Sequence, residues 1–555
     1  MTYVPDNPLI AQSDHTLLLE TQSPRYADAR DALLCFAELV KSPEYVHTWR
    51  ITSLSLWNAA ASGHGADEVV GALERFAKYP VPSNVLATIR DRIGRYGRIR
   101  LVRDGEWLRL EADDPIDLDE VRVLPAFSGM FVPVPGVADA VRVRASQRGE
   151  VKRALTTAGH PVADLAGFDD GDEVQIRLRE LTADGTPWTM RDYQLAAVDA
   201  FTTGPGAGSG VVVLPCGAGK TIVGIASMVR FGMRTLILCS GTLALQQWRR
   251  EILARTSLRE EDVAEYTAER KQIGLVTLTT YQILTWRKNR ASEAVHFGIF
   301  SQANWGLVIY DEVHLLPAPI FRESAELQAR RRLGLTATLV REDGLEADVF
   351  SLIGPKRFDM PWKLLEREGW IAEARCVEVR IPATDEDRAR SLVVPERDRY
   401  AIAAKNPRKG AALEALLQRH AGEQVLVLGT YLEQLHFLGR RFNFPVISGD
   451  TSASERSALY ARFRGGEMLV LGLSKVGNFS VDLPSATVAI QISGTFGSRQ
   501  EEAQRLGRVL RPKPGTNQAT FYTLVTADSA EGPFAERRQL FLAEQGYPYF
   551  IEAMG

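Results

Sequence analysis

The sequence predicts an α/β protein: two parallel α/β domains preceded by N-terminal α+β segments. Two observations predict this class. Short apolar runs alternate with helical stretches in the later two-thirds of the chain, as at Val211–Val213, Thr235–Leu238, Leu275–Leu278, Gln424–Leu428 and Met468–Leu471. Runs of this kind read as parallel strands covered on both faces. Glycine-rich or acidic residues then follow such runs directly, where open α/β sheets bind ligands.

At 555 residues the chain has room for several domains, each with its own core. An apolar content of 45% and a charged fraction of 24% place it among ordinary globular proteins rather than disordered ones. The net charge is −3, from 66 basic and 69 acidic residues, so bulk charge would not attract a polyanion. A nucleic-acid partner would need a local basic surface. The four cysteines, Cys35, Cys216, Cys239 and Cys376, are scattered and form no C-x-x-C pair. That argues against a zinc ribbon or iron–sulfur cluster and fits a reducing cytosol. No basic N-terminal region is followed by a continuous apolar segment, and no run of about 18 apolar residues occurs elsewhere. The expectation is a cytoplasmic protein with no membrane partner.

Taken in order, residues 1–115 form a first accessory block. Thr16–Glu20 reads as a strand, and Ala27–Leu39 and Ala66–Phe76 read as helices. Residues 116–183 form a small α+β segment with strand candidates at Val121–Leu124 and Val174–Leu178. The first parallel domain spans 184–358 and the second 359–555. Gly204–Gly210 reads as a flexible surface connection into the first strand.

Three motifs carry chemistry. After Val211–Val213 come Leu214, Pro215, Cys216, Gly217, Ala218, Gly219, Lys220 and Thr221, and then a helical pattern. Strand, glycine turn, Lys-Thr and helix is the layout of a phosphate-binding loop. Small residues let backbone N–H groups approach phosphates at a helix N-terminus. Lys220 would reach the β- and γ-phosphates, and the Thr221 hydroxyl would ligate Mg²⁺. Leu214 stands where the strict pattern has glycine, and the plainer alternative is a glycine turn between strand and helix. Next, Leu307–Tyr310 leads into Asp311 and Glu312. Asp311 can hold Mg²⁺ through water, and Glu312 can orient or deprotonate an attacking water. Last, Gln504-Arg505-Leu506-Gly507-Arg508-Val509-Leu510-Arg511 sets arginines three apart on one helix face, able to stabilise a transferring phosphoryl group. No G-x-S-x-G, zinc-ligand cluster or nuclease carboxylate set is found. Cys216 reads as a packing residue rather than a nucleophile, and His314 as polar or structural.

This ordered set, with Thr336-Ala337-Thr338, resembles a superfamily 2 helicase and, more narrowly, the XPB family of DNA helicases in its bacterial form. The phosphate loop is similar to that family's, so Leu214 is a family variant. Arg341-Glu342-Asp343 resembles its Arg-Glu-Asp element. The stretch from Thr495 to Arg508, and in the N-terminal block Tyr45–Thr52, Ser55–Trp57 and Tyr96–Ile99, are similar too. The resemblance implies two RecA-like motor domains behind accessory domains, the second of them damage-recognition-like. It implies ATP and Mg²⁺ as cofactors and DNA as partner, whether duplex, forked or single-stranded. A 3′ to 5′ polarity, a repair role, a nuclease or repair-protein partner and a nucleoid-associated location follow as expectations.

The resemblance also assigns roles. Gln194 would read the adenine, with Arg191 or Tyr193 near it. Thr242, Thr280 and Ser474 resemble DNA-backbone motifs, and Asp482 lines the nucleotide cleft. Thr336 and Thr338 couple phosphate loss to lobe movement. Gln504, Arg508 and Arg511 complete the ATP site from the second lobe. Arg341, Glu342 and Asp343 would act at the duplex fork. The polar stretch Ala383–Arg408 is too short for the family's full helical thumb. A duplex translocase that does not separate strands, and an ATP-switched DNA-binding scaffold, stay open as alternatives.

Overall fold

The computed structural model describes residues 3–41, 45–124, 127, 129–134, 137–144, 147–165, 171–204, 207–286, 296–300, 302–316, 331–337, 346–474, 486–494, 505–506, 517–544, 547 and 549–554. The chain divides into two compact units, one mainly of residues up to Met360 and the other mainly of residues from Pro361.

The chain opens with a sheet of strands β1 (Leu9–Ala11), β2 (Thr16–Glu20), β3 (Glu38–Lys41) and β4 (Val46–Arg50), in the order β1-β2-β4-β3. Helices α1 (Tyr26–Leu33), α2 (Ser53–Ala61), α3 (Ala66–Phe76) and α4 (Ser83–Arg95) accompany them. Helix α3 buries Val69, Val70, Leu73 and Phe76, one stripe at helical spacing. The expected helix over Ala27–Leu39 stops short. It ends at Leu33, and Leu39 is buried instead in β3, because sheet pairing outweighs a weak helical period.

Strands β5 (Ile99–Asp104), β6 (Trp107–Ala112), β7 (Val132–Val134), β8 (Val137–Arg144) and β9 (Val162–Asp164) form a second sheet, ordered β7-β8-β6-β5-β9. The division expected at residue 115 therefore falls inside a sheet. The strand expected at Val121–Leu124 is corrected to the end of helix α5 (Pro115–Arg122). Asp114 caps that helix by accepting from Ile116 N at 3.0 Å, Pro115 takes its first turn, and Leu118 and Val121 supply its buried stripe. Helix α6 (Arg148–Thr157) puts Arg148 and Lys152 around Asp164, with N–O distances of 2.6 and 2.8 Å. The strand expected at Val174–Leu178 is corrected to isolated bridges, Leu178 with Thr256 and, just before it, Glu173 with Met233, because its backbone partners are single residues at helix ends rather than a continuous strand.

The first unit's main sheet is parallel. Its strands are β10 (Ser209–Val213), β11 (Thr235–Cys239), β12 (Val263–Tyr266), β13 (Val276–Thr280), β14 (Leu307–Asp311), β15 (Arg331–Thr336) and β16 (Lys356–Asp359), in the order β12-β13-β11-β14-β15-β10-β16. Strands β10, β11, β13 and β14 are buried almost throughout, the signature of a sheet with layers on both faces. The crossing segments include α7 (Asp192–Thr202), α8 (Lys220–Phe231), α9 (Thr242–Arg255) and α10 (Tyr281–Thr285). Gly204–Gly210 is not wholly a loose connection: Gly208 N donates to Phe201 O and Gly208 O accepts from Arg332 N, both at 2.7 Å, and β10 begins at Ser209. Edge strand β16 is covered by α2: Ser62 Oγ donates to Lys356 O at 2.5 Å, and Asn58 Oδ1 accepts from Lys356 N at 3.1 Å. Covering it removes an open sheet edge.

The second unit is a parallel sheet of β17 (Glu373–Ile381), β18 (Val425–Leu428), β19 (Val446–Ile447), β20 (Val470–Leu473), β21 (Val488–Gln491), β22 (Gln518–Thr526) and β23 (Tyr549–Ala553), ordered β19-β20-β18-β21-β22-β17-β23. The strand expected at Met468–Leu471 lies two residues later. Val379, Val427, Ile490 and Leu524 centre its core. Lys409 and Glu531 form a fully buried ion pair at 2.8 Å, with the lysine also donating to Ile492 O at 2.9 Å. In the insertion, helix Asp385–Val393 is capped by Thr384 and followed by helix Glu396–Ala404. Leu392 and Val393, the last two residues of the first of these helices, are over 80% exposed.

Candidate nucleotide site

The site lies at the C-terminal ends of β10, β14 and β15. Strand β10 runs into the loop Leu214–Gly219, tied to its neighbour by Leu214 N donating to Thr336 O at 3.0 Å. Gly217 and Gly219 have φ of +83° and +82°. Only glycine adopts this without strain. At Gly219 a Cβ would also collide with the amide of Gln194. The turn ends directly on Lys220 and Thr221, the first residues of α8, so the positive end of that helix's dipole lies at the loop.

Strand β14 delivers Asp311, and the chain then turns sharply. Glu312 has φ +50° and ψ +55°, a left-handed conformation that costs a non-glycine residue about 1–2 kcal/mol. This strained turn brings Glu312 Oε1 to 3.4 Å from Lys220 Nζ. It also leads into the short turn Val313–Leu315, which carries His314. His314 Nδ1 shares a hydrogen bond of 2.7 Å with Thr336 Oγ1 and stands 3.5 Å from Glu312 Oε2. One chain of contacts thus runs from Lys220 through Glu312 and His314 to Thr336.

Asp311 is 9% exposed. Trp248 Nε1 donates to its Oδ2 at 3.1 Å, and Tyr281 OH donates to its main-chain oxygen at 2.8 Å. Burial, and then the adjacent Glu312 charge, push the Asp311 carboxyl up to about 7, while Trp248 and Lys220 pull it back. A buried carboxylate, Asp311, beside a half-buried one, Glu312, calls for a cation. Glu312 Oε2 is buried and accepts no hydrogen bond. That orphaned oxygen, the neighbouring carboxylate and the glycine cradle on a helix N-terminus fit a Mg²⁺–nucleotide.

Gln194 is buried in the first turn of α7, its Oε1 accepting from Arg191 N at 3.0 Å, and Arg191 Nη1 donates to Tyr193 OH at 2.9 Å. Thr242 is the exposed first residue of α9. Thr280 is buried and caps α10, accepting from Ile283 N at 3.4 Å. Ser474, just past β20, is buried too. Thr338, Arg341, Glu342, Asp343, Asp482, Gln504, Arg508 and Arg511 lie outside the described residues. Arg505, within that last motif, is buried and donates to Gln491 Oε1 at the end of β21.

Sequence reasoning missed Trp248 and Tyr281 and gave His314 no partner. The available signal for Trp248 was its place on the buried stripe of α9, with Ala244, Leu245 and Ile252. The fold also gathers Asp117, Glu120 and His160, which sequence spacing did not suggest, with Arg98 Nη1 at 3.9 Å from Asp117 Oδ2. Among the described residues no helix is long and apolar enough to cross a membrane.

A family model described as ERCC3/RAD25/XPB C-terminal helicase matches residues 365–554. One described as type III restriction enzyme, res subunit, matches 188–341, and one described as helicase conserved C-terminal domain matches 9–133. The chain is 51% identical over 550 residues to the DNA 3′-5′ helicase XPB of Mycobacterium tuberculosis, covering 98% of each protein. It is 51% identical over 551 residues to that of Kineococcus radiotolerans, covering 98% of this chain and 96% of the relative. The general transcription and DNA repair factor IIH helicase/translocase subunit XPB/SSL2 of Saccharomyces cerevisiae is 32% identical over 607 residues, covering 98% of this chain and 71% of the relative. In fold it is similar to the ATP-dependent type ISP restriction-modification enzyme LlaBIII bound to DNA, with TM-score 0.51 and 13% identity over 80% of this chain and 39% of that one. Full-length identity at this level, on a chain whose Lys220, Asp311, Glu312 and Thr336 meet at one sheet end, means that the protein belongs to the XPB family of superfamily 2 DNA helicases, ATP-dependent enzymes.

Proposed function

We propose that the chain is a DNA-stimulated ATPase that couples ATP hydrolysis to 3′ to 5′ unwinding of duplex DNA, in repair. The observation that carries this reading is the contact chain Lys220–Glu312–His314–Thr336. It joins the phosphate-binding lysine and the candidate base to the motif that the family assigns to coupling. These contacts give a change in what Glu312 and Lys220 hold a direct route to His314 and to the end of β15.

In this reading the Gly217–Thr221 backbone and Lys220 hold the triphosphate, and Thr221 and Asp311 hold Mg²⁺. Bound Mg²⁺ neutralises charge on the β- and γ-phosphate oxygens. Glu312 orients the attacking water and takes its proton, and Gln194 and Arg191 serve the base of the nucleotide. Arg508 and Arg511 are assigned, by family motif, to the charge that develops on the transferring phosphoryl group. Thr242, Thr280 and Ser474 are the candidates for DNA-backbone contact. Thr242 fits best, being exposed at a helix N-terminus. Ser474 and Thr280 would act through their main chain, since both are buried. Thr338 joins Thr336 in coupling. Arg341, Glu342 and Asp343 would act as a wedge at the fork. Residues before 184 serve as accessory domains that engage DNA, and a nuclease or another repair protein is the proposed partner.

The test compares ATP turnover without DNA and with single-stranded, duplex and forked DNA, and measures strand displacement on the same preparation. Stimulation by duplex without displacement would establish a translocase instead. Nucleotide binding without turnover on any DNA would leave only a switched scaffold.

A further inference from the structure

Trp248 is 1% exposed, and its ring edge fills a notch over α8 that exists because residue 224 is glycine. A Cβ at Gly224 would collide with Trp248 Cη2 and come within 3.2 Å of Leu335 Cδ1. That seat brings the indole nitrogen to 3.1 Å from Asp311 Oδ2. Tyr281, also buried, holds the same residue by its main chain, its hydroxyl 2.8 Å from Asp311 O. An indole N–H only donates, carries no charge and does not titrate in water. It fixes the plane of a carboxylate without neutralising it, so it does not compete with a cation as lysine or arginine would. Both donors sit on helices that begin at the ends of β11 and β13. Helix α9 starts with Thr242, and α10 starts one residue after Thr280.

We propose that Trp248 and Tyr281 are positioning residues: they hold Asp311 in its metal-binding attitude and tie it to the helices that begin with Thr242 and directly after Thr280. The tie to DNA rests on the reading of those threonines as backbone contacts. Engagement of duplex DNA at the start of α9 and α10 then tightens the metal end of the nucleotide site, through two hydrogen bonds and one packed indole.

The test uses the full chain and a fluorescent, non-hydrolysable ATP analogue, with EDTA, with Mg²⁺ titrated, and with or without a duplex. The variants are Trp248→Phe, Trp248→Phe/Gly224→Ala, Tyr281→Phe and, as reference, Asp311→Asn. The added methyl of Gly224→Ala refills the space the smaller ring leaves. The double variant should therefore regain thermal stability relative to Trp248→Phe. Its metal-free affinity for the analogue should match wild type. Its Mg²⁺ midpoint should stay about tenfold or more higher, the size of one hydrogen bond to a charged group. Tyr281→Phe should raise the midpoint less, since it frees only the main chain. Duplex should lower the wild-type midpoint and lower that of the double variant by less, since only the Tyr281 hydrogen bond remains.

A wild-type Mg²⁺ midpoint in the double variant would overturn the inference, as would recovery of midpoint and stability together, which would make Trp248 a packing residue. A wild-type midpoint that duplex does not move would overturn the tie to DNA. Asp311→Asn separates the two levels. If it responds to Mg²⁺ like wild type, the metal reading of Asp311 fails. If it loses the response while the double variant keeps it, only the positioning role fails.

Discussion

Replacing Thr336 with valine should break the link between the hydrolysis end of the site and the coupling strand while leaving the nucleotide contacts in place. Thr336 is fully buried, and its hydroxyl shares a 2.7 Å hydrogen bond with the buried His314. Valine keeps the volume and the β-branch, so no cavity forms and β15 keeps its register. What is lost is the hydrogen bond, together with the cost of taking that partner from a buried ring nitrogen, about 1–3 kcal/mol in sum. His314→Phe should destabilise by a similar route. Because the two side chains touch, the double variant should fall short of the sum of the singles by at least ~0.5 kcal/mol, whereas independent sites add within about 0.3–0.5 kcal/mol. The assay is urea unfolding of the nucleotide-free enzyme for all four proteins, with ATP turnover measured with and without duplex DNA. Nucleotide affinity should hold and the DNA-dependent part of turnover should fall in each single variant. Additive stabilities, or DNA stimulation at the wild-type level in Thr336→Val, would refute the contact chain as a coupling path.

Lys220→Ala should abolish turnover and spare DNA binding, because it removes the cation 3.4 Å from Glu312 and leaves Thr242 untouched; near-normal turnover would overturn the site assignment. Glu312→Gln should still bind ATP but stall hydrolysis, and loss of binding with an intact fold would recast Glu312 as a metal ligand. Arg508→Ala should keep ATP affinity within about tenfold, ~1.4 kcal/mol, while the chemical step drops by roughly 10³–10⁵; equal losses in binding and rate would assign it to ground-state binding. In the N-terminal sheet, burial and then the Arg30 charge push His47 down to about 4. The unfolded chain protonates histidine near ~6.5, so the stability gained from the buried neutral ring is fully present above that pH and is lost as pH falls towards the folded value, about 1–3 kcal/mol. His47→Gln should flatten that part of the stability curve, and an unchanged slope between those two pH values would refute the assignment.

Much of the protein was legible in one dimension because it is local. A buried parallel strand is a short apolar run, so Thr235–Leu238 and Leu307–Tyr310 could be placed within a residue of β11 and β14, and Val211–Val213 within two residues of β10. The phosphate loop is contiguous, and its glycines and its Lys-Thr pair state their own requirement for positive φ and a helix start. The sequence by itself therefore determined the α/β class, the loop and the carboxylate pair at the next strand end. It misread segments whose state depends on partners: Leu39 joins β3 rather than a helix, Val121–Leu124 closes α5, and Val174–Leu178 finds no strand to pair with. Only the tertiary structure decided which side chains answer Asp311. Trp248 and Asp311 are 63 residues apart, and no local pattern marks an indole that will seat on a glycine of another helix. The same holds for His314 and Thr336, 22 residues apart and joined because β14 and β15 are neighbours in register. Backbone propensity acts over a few residues, whereas these hydrogen bonds exist only once the sheet order has brought distant strand ends together.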